Sequence, residues 1–274
     1  MRVSLAATAR GNRLVGEVDG EFRYLSEKDQ SLSSLLAECD GQVVPGERAD
    51  VQSVGSALRP GKIVAIGLNY LDHITEAGAD RPPAPLIFAK FPSTVIGDGD
   101  EIRMDSRLAE RVDWEVELAA VIGRRARNVE ADEALDHVFG YTVGNDVSAR
   151  DVQFADGQWI RGKNFDTFCP LGSTVVTADE IPDPQSLDLG TRVNGETVQE
   201  SNTSYMVFSV AEIIAYCSKM FTLEPGDVVL TGTPWGCGEF MEPKRSLKSG
   251  DVVEVWVAGV DTITNPVIDL AAEG

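Results

Sequence analysis

The chain has 274 residues, 43% hydrophobic and 25% charged, with 24 basic against 44 acidic side chains and a formal net charge of −20. Such a length supports a sizeable core, in one large domain plus a small one. The acidity, whether it serves solubility or a high-salt habitat, argues against nucleic-acid backbones and anionic membrane surfaces as partners, so an anionic substrate needs a local positive pocket.

In chain order, Met1 to Arg10 is too short and too early an apolar stretch for a secretory signal, and no run approaches a membrane span. Cys39, Cys169, Cys217 and Cys237 lack any paired spacing, which suggests reduced thiols and a cytoplasmic protein. Leu14–Val18 and Glu21–Leu25 about Asp19-Gly20 predict a hairpin, and Ser31 to Glu38 a short helix. Residues 1–58 are thus expected to form a small β-rich domain, and 59–274 the main one, which opens after a Gly/Pro-bearing linker with the buried strand Lys62–Gly67. Beyond it short strands dominate, including a hairpin about Asn194-Gly195. Helices are expected at Glu130–Val138 and Ser209–Met220, the second with a Ser209/Glu212 capping box. The expected fold is a mostly β, mixed β-sandwich roll with few peripheral helices.

Five short segments carry candidate chemistry. Asn69 can cap a short helix ended by Gly78, on which His73 and Glu76 are neighbours at i, i+3. A carboxylate beside an imidazole raises its basicity, as a base acting on water requires; an exposed helical pair has the same spacing. In Trp114-Glu115-Val116-Glu117-Leu118, an extended strand puts both acids on one face, roughly 6 to 7 Å apart. With Asp146 in a second apolar run they form an oxygen trio suited to Mg²⁺, Mn²⁺ or Ca²⁺. The pattern also suits a half-exposed strand with its polar side in water. His137, at the end of the Glu130 helix, reads as structural.

If Asp146 to Gln153 is helical, Asp146, Arg150 and Gln153 share a face, with Ser148 and Asp151 as its capping signal. They make either a surface ion pair or an acid on a metal beside two donors for a substrate oxygen. Gly157-Gln158-Trp159-Ile160-Arg161-Gly162-Lys163-Asn164 nearly spells a P-loop, but Asn164 replaces the metal-binding hydroxyl and Trp159 and Ile160 crowd the loop. Lys163 is then a lone cation before a polar turn, or a solvated lysine. Finally Val228–Thr231 runs into Gly232-Thr233-Pro234, a tight turn whose hydroxyl and amides can hold a carboxylate.

From Lys62 onward the sequence resembles the fumarylacetoacetate hydrolase family, of the acylpyruvate hydrolase and 2-hydroxyhepta-2,4-diene-1,7-dioate isomerase type. The resemblance rests on Ile66–Tyr70 with His73 and Glu76, then Asp113–Leu118, Gly144–Asp151, Arg161–Asp166 and Thr231–Pro234, in that order. It implies a β-roll main domain, a homodimer, and a divalent metal, Mg²⁺ or Mn²⁺ with Ca²⁺ as a crystal substitute, on Glu115, Glu117 and Asp146. It also implies that His73 with Glu76 activates water, that Arg150, Gln153 and Lys163 surround the reacting oxygens, and that Thr233 contacts substrate.

Joined to the residue chemistry, this predicts a hydrolase that cleaves a carbon–carbon bond in a small anionic 2,4-dioxo acid through an enolate whose charge the metal offsets, with His73 deprotonating water and Lys163 catalytic. The rival is a decarboxylase of oxaloacetate or an isomerase of a hydroxymuconate-type diacid, both using the same enolate. A non-catalytic metal-binding sensor is the alternative of a different class.

Overall fold

In the computed structural model, which describes residues 1–155 and 157–272, a ten-stranded sheet forms the frame. Its centre is Val116–Ile122, flanked by Val138–Asn145 and Val228–Leu230, and all three are fully buried. Val228–Leu230 runs parallel to Ile63–Gly67, which pairs in turn with Leu86–Lys90. A five-stranded sheet, Glu196–Asn202, Asp188–Val193, Val252–Val257, Asp261–Asp269 and Ile102–Met104, packs against one face of the first. The fold is mostly β, and its longest helix has 11 residues.

Side-chain alternation along the central strand sets the two cores. Val116, Leu118, Ala120 and Ile122 pack toward Leu189, Val253, Val255 and Ile263 of the smaller sheet, while Ala119 and Val121 meet Leu32, Leu35 and Leu36 of an N-terminal helix on the opposite face. Extending that period backward puts Glu117 and Glu115 on the side away from the smaller sheet. Burial on both faces explains the near-continuous apolar runs of these strands.

Residues 1–58 build the hairpin Gly11–Val18/Glu21–Tyr24, with Asp19 and Gly20 both at positive φ as a primed turn requires, and the helix Leu32–Glu38 capped by Ser31. Arg2–Thr8 pairs with Val175–Thr177, which makes these strands a continuation of the large sheet, with a small cluster of their own around Ala6, Val15, Tyr24 and Ala49. The helix Val210–Met220 has its Ser209/Glu212 capping box. Among the described residues no helix is long and apolar enough to cross a membrane.

Three local expectations are corrected. Glu130–Val138 is not a helix: only Ala134–His137 makes a single 3₁₀ turn, because Val138 and Phe139 are drawn into the central sheet. Asp146 is not on a helix with Arg150 and Gln153. Ser148–Ala149 pairs with Val112–Asp113, so the helix starts at Arg150, and Ser148 Oγ donates to the Asp146 carbonyl rather than capping. Asn69 does not cap the His73 helix. Its buried amide donates to the Phe208 and Thr231 carbonyls and its carbonyl accepts from Phe208 N–H, while Asp72 accepts from His73 N–H.

Candidate active site

The central strand begins at Val116, directly after Glu115, and the adjacent strand Val138–Asn145 ends directly before Asp146. Val116 pairs with Asn145, so the antiparallel register sets Asp146 beside Glu115, and Asp146 N–H donates to the Glu115 carbonyl. The result is a buried trio of carboxylates, Glu115, Glu117 and Asp146, with ligand atoms within 4.8 Å of one another. A half-exposed strand with its acids in water is excluded, since the three residues are at most 4% exposed.

Cations enter from other elements. Lys163 ends the short helix Trp159–Lys163 and donates to Glu115 Oε2 (2.6 Å) and Asp146 Oδ2 (2.7 Å), so it is no solvated lysine. Lys90 Nζ, at the end of Leu86–Lys90, lies 2.7 Å from Asp146 Oδ1. Arg150 donates through Nε to Asp113 Oδ2 (2.9 Å) and through Nη1 to Gln153 Oε1 (3.1 Å), and its Nη2 lies 2.6 Å from Glu115 Oε1. Arg150 and Gln153 therefore meet inside the protein, and a surface pair is excluded. Asp113 also accepts the N–H groups of Trp114, Gly238 and Glu239, and so anchors the guanidinium.

Electrostatics sort the acids. Burial works against ionised Glu115, but Arg150 and Lys163 outweigh it and hold its carboxyl at about 2. Glu117 is pushed well above the usual carboxylate range by burial and then by the charges of Asp146 and Glu115. Burial lowers the Lys163 ammonium, but Asp146 and Glu115 more than compensate, and its pKa ends raised. The turn predicted to hold a carboxylate does so within the protein: Gly232 N–H donates to Glu117 Oε2 at 2.6 Å.

The trio fits a hard dication. Asp146 Oδ1 and Arg150 Nη2 make charge contacts without an aligned hydrogen bond, so a buried acceptor and a buried donor retain capacity for a ligand. Glu117, crowded by two like charges, is the position that an added cation would relieve. An all-oxygen set of three acids suits Mg²⁺ or Mn²⁺.

His73 faces the same small cavity of about 60 Å³, which Glu115, Glu117, Arg150, Gln153, Lys163 and Thr233 also line. His73 Nδ1 lies 3.1 Å from Glu76 Oε2, and Glu76 Oε1 accepts Gly236 N–H at 2.9 Å. With Nδ1 occupied, Nε2 is left for the cavity. Phe240 stacks edge-on against the imidazole, and Cys237 Sγ sits 3.8 Å from Nδ1 as a thiol that burial keeps protonated. His137 lies outside this cavity. Of the residues assigned a role from the sequence, His73, Glu115, Glu117, Arg150, Gln153, Lys163 and Thr233 line one space, while Glu76 reaches it through His73 and Asp146 through its trio partners and Lys163.

Phe88, Phe154 and Trp159 also line the cavity. A Cβ on Gly67 would lie 2.2 Å from the Trp159 ring, so the glycine admits the indole. Gly67→Ala is expected to displace Trp159, to change the near-ultraviolet circular dichroism, and to cost about 1–3 kcal/mol of stability; an unchanged tryptophan spectrum would contradict this.

Sequence reasoning missed Lys90, Asp113 and Gln199. A lysine ending the apolar run Leu86–Ala89 and an acid two residues before Glu115 were usable signals; Gln199 had none.

Known proteins resemble this chain in sequence and in fold. Residues 62–268 match the family model described as fumarylacetoacetate (FAA) hydrolase C-terminal. The chain is 45% identical over 247 residues to oxaloacetate tautomerase fahd2, mitochondrial, of Xenopus laevis, covering 89% of this chain and 77% of that protein. Among solved structures, 5-carboxymethyl-2-hydroxymuconate delta-isomerase from Mycobacterium smegmatis superposes with a TM-score of 0.82 at 36% identity, over 98% of this chain and 100% of that one. Fumarylacetoacetate hydrolase from psychrophilic Exiguobacterium antarcticum superposes with a TM-score of 0.85 at 33% identity, over 98% and 99%. With the ordered motifs, the buried acid trio and the matched length all in one chain, the protein belongs to the fumarylacetoacetate hydrolase family.

Proposed function

We propose that the protein is an enzyme that interconverts the keto and enol forms of a small 2-oxo dicarboxylic acid of the oxaloacetate class. Similarity to a tautomerase and to a hydroxymuconate isomerase supports enolate chemistry without bond cleavage over the carbon–carbon hydrolysis expected from the sequence. The observation that carries the reading is the lining of the cavity: the imidazole of His73, the buried cations Arg150 and Lys163, and the aromatic rings of Phe88, Phe154, Trp159 and Phe240. An imidazole base beside buried cations suits proton transfer on a small anionic 2-oxo acid.

A divalent cation on Glu115, Glu117 and Asp146 would supply Lewis acidity toward the 2-oxo group and offset the enolate charge. The protein's own residues do the rest. Arg150, through the donor capacity left at Nη2, and Lys163 orient the anionic substrate. His73 Nε2 takes the proton from C3 and returns it at the 2-oxo oxygen; these atoms are 1,3-related, so one base serves both ends and atoms and charge balance. Glu76 fixes the imidazole tautomer and stabilises the imidazolium between the two transfers.

The test is the decay of freshly dissolved enol-oxaloacetate followed by its absorbance with Mg²⁺ or Mn²⁺, with pyruvate assayed in parallel. Accelerated decay without pyruvate is the expected result. Pyruvate from oxaloacetate would instead mean decarboxylation, and pyruvate from acylpyruvates alone would mean hydrolysis, for which the same His73–Glu76 dyad is equipped.

A further inference from the structure

The buried amide of Gln199, on the strand Glu196–Asn202, ties together three parts of the site. Its Oε1 accepts Val116 N–H (3.0 Å), between the two glutamates of the acid trio, and the Thr191 hydroxyl (2.7 Å). Its Nε2 donates to Thr233 Oγ1 (3.0 Å) and to the Pro234 carbonyl (3.1 Å), with the Trp235 carbonyl farther off at 3.4 Å. The amide can sit only this way round, because Val116 N–H is solely a donor and the Pro234 carbonyl solely an acceptor. Both lone pairs of Oε1 and both hydrogens of Nε2 are used.

The orientation has a consequence for Thr233. Its oxygen receives a hydrogen from Gln199, and among the described residues no protein acceptor takes its own hydrogen. Thr233 lines the cavity next to Gly232, whose N–H holds Glu117. We propose that Gln199 is a positioning residue that makes Thr233 a hydrogen-bond donor to a substrate carboxylate at the acid-trio end of the cavity, so that this end selects an acceptor-only group. The proposal rests on the 2-oxo acid reading above and deepens it.

Oxalate, which presents carboxylates alone, is the probe, and its affinity for the Mn²⁺-loaded protein is read by titration calorimetry. Gln199→Glu removes both N–H donors at constant shape and lets the Thr233 hydroxyl turn onto the new side chain. It and Thr233→Val should each weaken oxalate about ten- to a hundredfold, the range for a lost hydrogen bond to a charged group. The double variant should bind no worse than either single one, and Thr233→Ser should stay within about threefold of the parent. Thr191→Val, which loosens the same amide from its other end, should lower Tm and leave oxalate affinity within about twofold. Multiplying effects in the double variant, a Gln199→Glu change confined to Tm, an equal loss in Thr191→Val, or no oxalate binding by the parent would each overturn the proposal. Failure of the functional reading is separate: it would appear as absent oxaloacetate turnover alongside intact, coupled oxalate binding.

Discussion

Asp146→Ala is expected to abolish divalent-metal binding and turnover together. Asp146 contributes one of the three carboxylates of the trio, and its two oxygens each lie 2.7 Å from a buried lysine, Lys90 on Oδ1 and Lys163 on Oδ2. Removing it takes away a ligand, strips buried Lys90 of its carboxylate and leaves Lys163 on Glu115 alone. Breaking a buried pair in this way costs about 3–5 kcal/mol, so the variant should also melt earlier. Asp146→Asn separates the two effects: the amide keeps the volume and offers one acceptor, but it brings no charge and aims an NH₂ at a lysine. Its stability loss should be smaller while Mn²⁺ affinity stays lost, measured by calorimetry and by thermal unfolding side by side. Retained activity in either variant, or full parental activity after exhaustive chelation, would remove the metal from the proposed chemistry.

What the sequence made legible follows from how local each signal is. The Glu115/Glu117 period depends only on the strand's two-residue repeat, and it survives even though the regular strand starts at Val116. The Ser209 capping box and the Asp19-Gly20 turn are likewise satisfied within a few residues. Tertiary pairing decided the failures. Asp146 to Gln153 has a helical spacing, but Ser148 and Ala149 gain a partner in Val112–Asp113, and Arg150 N–H finds the Arg111 carbonyl, so helix and acid are separated. Asn69 has a capping residue's chemistry, but its amide has carbonyls 139 and 162 residues away to satisfy. Lys163 has a neutral-looking context in sequence, and only the folding of its helix over the sheet brings its ammonium between two carboxylates. The family resemblance placed these residues together before geometry did, but it could not assign Gln199 or Lys90, which act by holding other groups.

His73→Gln is the second large effect expected, and it tests the proton path separately from the metal. The imidazole lines the same cavity as Arg150 and Lys163, and its Nδ1 is engaged by Glu76, so the substitution removes the base without touching a carboxylate of the trio. Loss of a positioned acid–base group costs about 10² to 10⁴ in rate, and the fall should be in kcat, with Mn²⁺ and oxalate affinities near the parent's. Glu76→Gln should also lose activity, though less completely: with its amide oxygen on Gly236 N–H, its NH₂ faces Nδ1 and favours the tautomer protonated at Nε2, and it no longer stabilises the imidazolium. The discriminating readout is hydrogen–deuterium exchange at C3 of a 2-oxo acid, followed by proton NMR in deuterated water. The parent should catalyse the exchange, His73→Gln should not, and Glu76→Gln should fall between them. Exchange undiminished in His73→Gln would place the base elsewhere in the cavity.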